Sequence, residues 1–114
     1  MLSKKTQVTY CINNGKIILE EPISLMEGDN VGILQLKGEL DTTVKATLII
    51  QPFEGDKVTV PGTICPYKGI SREFALINKG PGKYKAQLVL TQGTGINKSI
   101  NKSEIFEYEV LPSL

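Results

Sequence analysis

The sequence contains no histidine, the side chain that enzymes use most often for acid–base chemistry and proteins use most often for zinc binding. This absence removes Ser-His and Cys-His nucleophiles together. The remaining candidates are carboxylates, which occur as Glu20-Glu21, Glu27 with Asp29, Glu54 with Asp56, and Glu104 with Glu107 and Glu109. Asp and Glu beside Gly stabilise turns, and charges that alternate along a strand mark its solvated face. We therefore expect a non-enzymatic protein without catalytic residues.

Motifs for metals and cofactors are equally weak. The segment Glu27-Gly28-Asp29-Asn30 offers oxygen donors, but it lacks the regular alternation of a dedicated calcium loop. The glycines between Gly80 and Gly95 form no phosphate-binding pattern. Cys11 and Cys65 match no metal-ligand spacing, and two free thiols are expected in a chain without an export signal. The sequence predicts no metal and no cofactor.

Charge and hydropathy point to one ordinary globular domain. The chain has 114 residues, 40% of them hydrophobic, and a net charge of +1, which gives no long-range field to attract nucleic acid. No apolar run approaches the roughly 20 residues that cross a bilayer, and the N-terminal residues lack the apolar centre of a signal peptide. We expect a single domain over residues 1–114 that contacts neither nucleic acid nor membrane and is made in the cytoplasm.

The elements that must position any site are strands, because apolar residues alternate in short runs bounded by Gly, Pro, Asn and Asp. The clearest runs are Thr43 to Gln51 and Lys83 to Thr91. The pattern predicts an all-β fold, an antiparallel β-sandwich of about eight strands. The alternating positions predict a core between the two sheets that contains Val44, Ala46, Leu48, Ile50, Leu88, Leu90 and Phe106.

The segment Gln92 to Lys102 is polar and contains two glycines. We expect it to be a mobile connection at one end of the sandwich. Within it Asn97-Lys98-Ser99 and Asn101-Lys102-Ser103 both fit the glycosylation sequon, a tripeptide that is frequent by chance and that is modified only in secreted proteins.

Several segments together resemble the N-terminal domain of phage baseplate upper proteins. They are Glu27-Gly28-Asp29 before an apolar strand, Phe74-Ala75-Leu76, the strand from Gly82-Lys83-Tyr84 to Leu90, and the closing run Ile105 to Val110. Their order is the same as in that family, over roughly Leu25 to Val110. The motifs are short, and many Ig-like sandwiches share Gly-x-Tyr at the start of a late strand. Proteins of the family usually continue into a stalk or oligomerisation region, whereas this sequence ends at Leu114, so it is expected to be either a cut-out domain or a short stand-alone relative.

The resemblance implies an Ig-like sandwich that acts as a structural adaptor in the tail baseplate of a phage or prophage, linking the tail to receptor-binding proteins. It implies localisation in the virion tail and other tail or baseplate proteins as partners. A carbohydrate-binding or adhesion module is the alternative function.

Docking, to further copies of the chain or to another tail-like protein, is expected through an exposed strand edge or a loop-bearing end. The candidate edges are the runs Val8 to Ile12 and Ile105 to Val110. The candidate partner-binding residues are Val8, Tyr10, Ile12, Tyr67, Ile105 and Tyr108.

Overall fold

The computed structural model describes residues 4–11, 16–19, 23–28, 32–37, 43–64, 72–93 and 95–114. Most residues in these ranges are in strands, and one 3₁₀ helix lies at Gly95–Asn97. The strands are β1 (Lys4–Cys11), β2 (Lys16–Leu19), β3 (Ser24–Met26), β4 (Gly32–Lys37), β5 (Lys45–Gln51), β6 (Val58–Pro61), β7 (Thr63–Ile64), β8 (Arg72–Ala75), β9 (Gly82–Gln92), β10 (Ser99–Lys102) and β11 (Phe106–Leu111).

The strands build two sheets that form a sandwich, so the predicted all-β fold is confirmed. The first sheet has the order β2-β1-β4-β8-β7, and the second has the order β3-β11-β9-β5-β6 with β10 added to β9. Most neighbours are antiparallel, but β1 with β4 and β3 with β11 are parallel. The sheets are therefore mixed, which the antiparallel expectation missed because hydrophobic alternation does not report strand direction.

The described ranges contain eleven strands where about eight were expected. The difference comes from short elements such as β3, β7 and β10, which have three, two and four residues. Runs of this length are too short to show a hydrophobic period, and backbone pairing with a longer neighbour defines them instead.

The core lies between the sheets and is dominated by alternate positions of β5 and β9. Ala46, Leu48 and Ile50 stand opposite Leu90, Leu88 and Ala86 in the register. Five of the seven predicted core residues are buried, and the other two, Val44 and Phe106, are partly buried against the same core. The buried apolar side chains are Ile23, Leu25, Leu34, Leu36, Ala46, Leu48, Ile50, Phe74, Leu76, Tyr84, Ala86, Leu88, Leu90, Tyr108 and Val110.

The chain crosses from the second sheet to the first at Gly62, between β6 and β7. The Gly62 N–H donates to the carbonyl of Ala46 at 2.9 Å. A Cβ atom at this position would lie 2.8 Å from the Phe74 ring and 3.0 Å from that carbonyl oxygen. Glycine therefore allows the close approach of backbone and ring that joins the two sheets here.

Candidate docking surface

Both strands expected to provide a free edge lie inside a sheet, although β4 pairs with β1 only up to Thr9 and β3 pairs only with the last three residues of β11. β1 lies between β2 and β4, and β11 lies between β9 and β3. The prediction that the runs Val8 to Ile12 and Ile105 to Val110 are edge strands is therefore wrong where both sides are paired, which holds for Val8, Thr9, Glu109 and Val110. Ile12 lies outside the described residues. Pairing order depends on contacts between strands distant in sequence, so a terminal position in the chain does not imply a terminal position in a sheet. The edges among the described residues are β2, β7, β3 and β6, together with the free side of β10.

The six predicted partner-binding residues do not form one site. Val8 and Tyr10 lie in β1, and Ile12 and Tyr67 lie outside the described residues. Tyr108 is only 2% exposed, so its predicted role in contacting a partner is wrong. Ile105 is 62% exposed, so its side chain is available to a partner.

Tyr108 belongs to an aromatic cluster that extends from the core to Phe53, which is half exposed. Its ring stacks on Tyr84 with centroids 5.0 Å apart and an interplanar angle of 9°, and Phe53 meets Tyr84 edge-on at 5.6 Å. The Tyr108 hydroxyl donates to the carbonyl of Ile77 at 2.6 Å. Burial, with the neighbouring Tyr84, raises the pKa of Tyr108 above that of an ordinary tyrosine. The cluster is structural, since it ties β11 and β9 to the segment that follows β8.

Tyr84 also connects the aromatic cluster to the segment that follows β8. Its hydroxyl donates to the Gly80 carbonyl at 2.7 Å and accepts from the Lys79 N–H at 2.8 Å. A tyrosine near the start of a late strand that bonds to the backbone a few residues upstream is the tyrosine corner of Ig-like sandwiches. The Gly82-Lys83-Tyr84 motif therefore has a structural function that many sandwiches share.

Arg72 is the largest fully buried side chain, at 2% exposure. Its Nη2 donates to the Val44 carbonyl at 3.2 Å, which connects β8 of the first sheet to the residue before β5 of the second. The guanidinium lines a cavity of about 320 Å³ with Val44, Ala46, Pro61 and Gly62 among its walls. Because Arg72 bonds across the two sheets, we interpret it as a structural residue that closes this end of the sandwich.

Exposed apolar side chains concentrate on the segment that includes β10. Ile96, Ile100 and Ile105 are 101%, 54% and 62% exposed. Single exposed apolar residues are common on protein surfaces, but three within ten positions along one sheet margin mark a candidate contact surface. We call these three residues the isoleucine margin.

A β-bulge places Ile105 on this surface. Lys102 stands opposite Val89 and Phe106 opposite Ala86, so the three residues 103–105 face the two residues 87–88. The extra residue ends the regular alternation and re-aims the side chains around it. Ile105 consequently lies over the outer face of the second sheet, where it lines a groove of about 180 Å³ with Ile49, Lys57 and Lys85.

Ser103 holds the bulge in place from within the protein, where it is 3% exposed. Its hydroxyl accepts from the Leu88 N–H at 3.0 Å and donates to the Glu104 carbonyl at 2.8 Å. Its N–H donates to the Leu88 carbonyl, and its carbonyl accepts from the Gln87 side-chain amide at 2.8 Å. All polar groups of Ser103 are thus used, which makes the exposure of Ile105 a fixed feature of the fold.

Sequence reasoning treated this segment as a mobile connection, but it contains the strand β10. A signal was present: residues 96–103 read Ile-Asn-Lys-Ser twice in succession. The first copy contains the last two residues of the 3₁₀ helix, Lys98 and the first residue of β10, and the second contains the rest of β10 and the start of the bulge. From the sequence, this repeat was considered only as two glycosylation sequons. Each copy of the repeat places one isoleucine and one lysine at matching positions on the exposed segment.

No model of a known protein family matches the chain, and no curated protein matches it. Among the described residues, no group of His, Cys, Asp and Glu side chains could hold a metal ion. In the same part of the chain, no helix has the length and hydropathy needed to cross a membrane.

Proposed function

We propose that the protein is a non-enzymatic docking module that binds a partner protein through the isoleucine margin. The bulge at Ser103 carries this proposal. The hydroxyl and backbone groups of Ser103 are fully hydrogen-bonded inside the protein. They fix the bulge in a conformation that leaves the Ile105 side chain exposed to solvent. Exposing a large apolar side chain forgoes the roughly 1.5–3 kcal/mol that its burial contributes. A partner that covers Ile105 and Ile100 recovers that free energy on binding.

We further propose that the module is a structural adaptor of a phage or prophage tail baseplate, located in the virion tail and linking the tail to receptor-binding proteins. The order of the Gly-Asp, Gly-Lys-Tyr and closing-strand motifs supports this assignment. The sandwich fold is compatible with it. The predicted partners are other tail or baseplate proteins, together with further copies of the chain.

The test is light scattering at micromolar concentration, with the chain alone and mixed with proteins encoded beside its gene. We expect a complex that buries at least about 1,000 Å² in total, the size of a specific interface. The double substitution Ile100→Ser with Ile105→Ser should weaken binding at least tenfold.

The matched control is Ile18→Ser. Ile18 lies on β2 of the other sheet and is 54% exposed, the same fraction as Ile100, so its substitution should leave binding unchanged. A chain that stays monomeric and binds none of these proteins would contradict the docking function. Binding on a glycan array that is lost when Tyr67 is replaced would instead support the carbohydrate-binding alternative.

A further inference from the structure

The free side of β10 has the properties of a site for an added strand. β10 pairs with β9, and all four of its residues, Ser99–Lys102, are exposed. The Ser103 N–H donates to the Leu88 carbonyl of β9. Because bonding direction alternates along an antiparallel strand, Ser99 and Asn101 also direct their backbone groups toward β9. The backbone N–H and C=O of Ile100 and Lys102 therefore point to the open side.

Three of the other edges, β6, β3 and β7, are less suited to strand addition, whereas β2 is an edge of four residues with an exposed Ile18. Pro61 lies on β6 and has no N–H to donate. On β3, the carbonyl of Met26 already accepts from the Asn78 side-chain amide at 2.8 Å. β7 has only two residues. β10 offers four exposed residues that include the apolar side chain of Ile100.

The charged side chains around β10 indicate the charge of a segment that would bind there. The strands β5, β9 and β10 contain Lys45, Lys83, Lys85 and Lys102 and no carboxylate. Glu107 and Glu109 of β11 stand opposite Lys85 and Lys83 in the register, which leaves Lys45 and Lys102 opposite Thr91 and Val89. Lys98 adds a further positive charge next to β10. Glu104, two residues after Lys102, is also exposed, so among the described residues Lys45, Lys98 and Lys102 leave a net positive charge beside Ile100.

Lysines on an edge strand oppose pairing between two copies of that edge, since like charges would be brought together. They favour a strand with acidic side chains at the same positions. We infer that β10 binds an extended acidic segment of a partner protein, which adds to the sheet as a strand and covers Ile100 with an apolar side chain. This inference rests on the proposed docking function and names the chemistry of its partner.

The test uses a capped peptide, Thr-Glu-Thr-Val-Thr-Glu-Thr, whose alternate residues present Glu, Val and Glu on one face. NMR titration should show shifts at the Ile100 and Lys102 amides and slower hydrogen exchange there. A peptide with Lys in place of both Glu residues should bind at least tenfold more weakly, and binding of the acidic peptide should weaken at high salt.

Three variants separate charge from backbone pairing. Lys102→Glu should weaken binding of the acidic peptide at least tenfold, whereas Lys79→Glu, with the same charge change on an exposed residue before β9, should change it less than twofold. Ile100→Pro removes an N–H that points away from β9, so it should leave the fold intact and abolish binding.

Equal binding of the acidic and basic peptides, or no shift at Ile100, would overturn the inference. If the acidic peptide fails while the chain still binds a tail protein, strand addition at β10 is wrong and the docking function stands. A dimer that Ile100→Pro dissociates would show that a second copy occupies the edge, which also overturns the inference.

Discussion

Replacing Ser103 by alanine should destabilise the protein although it removes a single oxygen atom. Ser103 is 3% exposed, and its hydroxyl is the acceptor for the Leu88 N–H and the donor to the Glu104 carbonyl. In Ser103→Ala the buried Leu88 N–H loses its acceptor, which costs about 1–3 kcal/mol. With a urea m-value of about 1–3 kcal/mol/M for a small protein, the midpoint of unfolding should fall by roughly 1 M.

The matched control for this prediction is Ser99→Ala. Ser99 is the same position of the first Ile-Asn-Lys-Ser copy, and it is exposed on β10, so its replacement should change stability by less than about 0.5 kcal/mol. Urea unfolding followed by circular dichroism measures both variants, and hydrogen exchange at the Leu88 amide should become faster only in Ser103→Ala. Equal midpoints for the two variants would refute the role assigned to the Ser103 hydroxyl.

Three further predictions concern the core and the aromatic cluster. Leu48→Ala should cost about 2–5 kcal/mol in urea unfolding, because Leu48 is fully buried and leaves a cavity; a loss below 1 kcal/mol would contradict its central position. Tyr108 has a raised pKa, so its stabilising contribution is complete below the unfolded value of about 10 and is lost as the pH rises further. Absorbance titration should show an ionisation step that coincides with alkaline unfolding and is lost in Tyr108→Phe; the same step persisting in Tyr108→Phe would contradict it. Gly82→Ala should lower the melting temperature, because Gly82 has a φ of 150° and the new Cβ would lie 2.6 Å from the Phe53 ring; an unchanged melting temperature would show that the ring moves freely.

Local sequence patterns predicted the secondary-structure class and the part of the core that lies on β5 and β9. Alternation along β5 and β9 identified Ala46, Leu48 and Ile50 as buried, since side chains of a strand point to opposite faces in turn. The segments between these strands were recognised from Gly and Pro. These features depend on neighbouring residues in the chain, which is the information that a sequence pattern carries.

The order and direction of the strands within each sheet were set by the tertiary structure. β1 and β11 were expected at sheet edges but lie inside the two sheets, and two pairings are parallel. Tyr108 was expected to contact a partner, yet it stacks on Tyr84 in the core. Each of these depends on contacts between residues far apart in sequence, and alternation alone is consistent with many orders of strands in a sheet.

The two Ile-Asn-Lys-Ser copies show the limit of local sequence most directly. The first copy begins in a 3₁₀ helix, while the second forms β10 because Asn101 and Lys102 pair with Leu90 and Val89. Ser99 remains exposed, whereas Ser103 is buried where its hydroxyl completes the bonding of Leu88. Identical residues adopt different conformations because β9 pairs with the second copy from Ile100 to Lys102 but with the first copy only at Ser99. Position relative to β9, which the four residues do not encode, decides which serine is structural and which isoleucine lies on the docking edge.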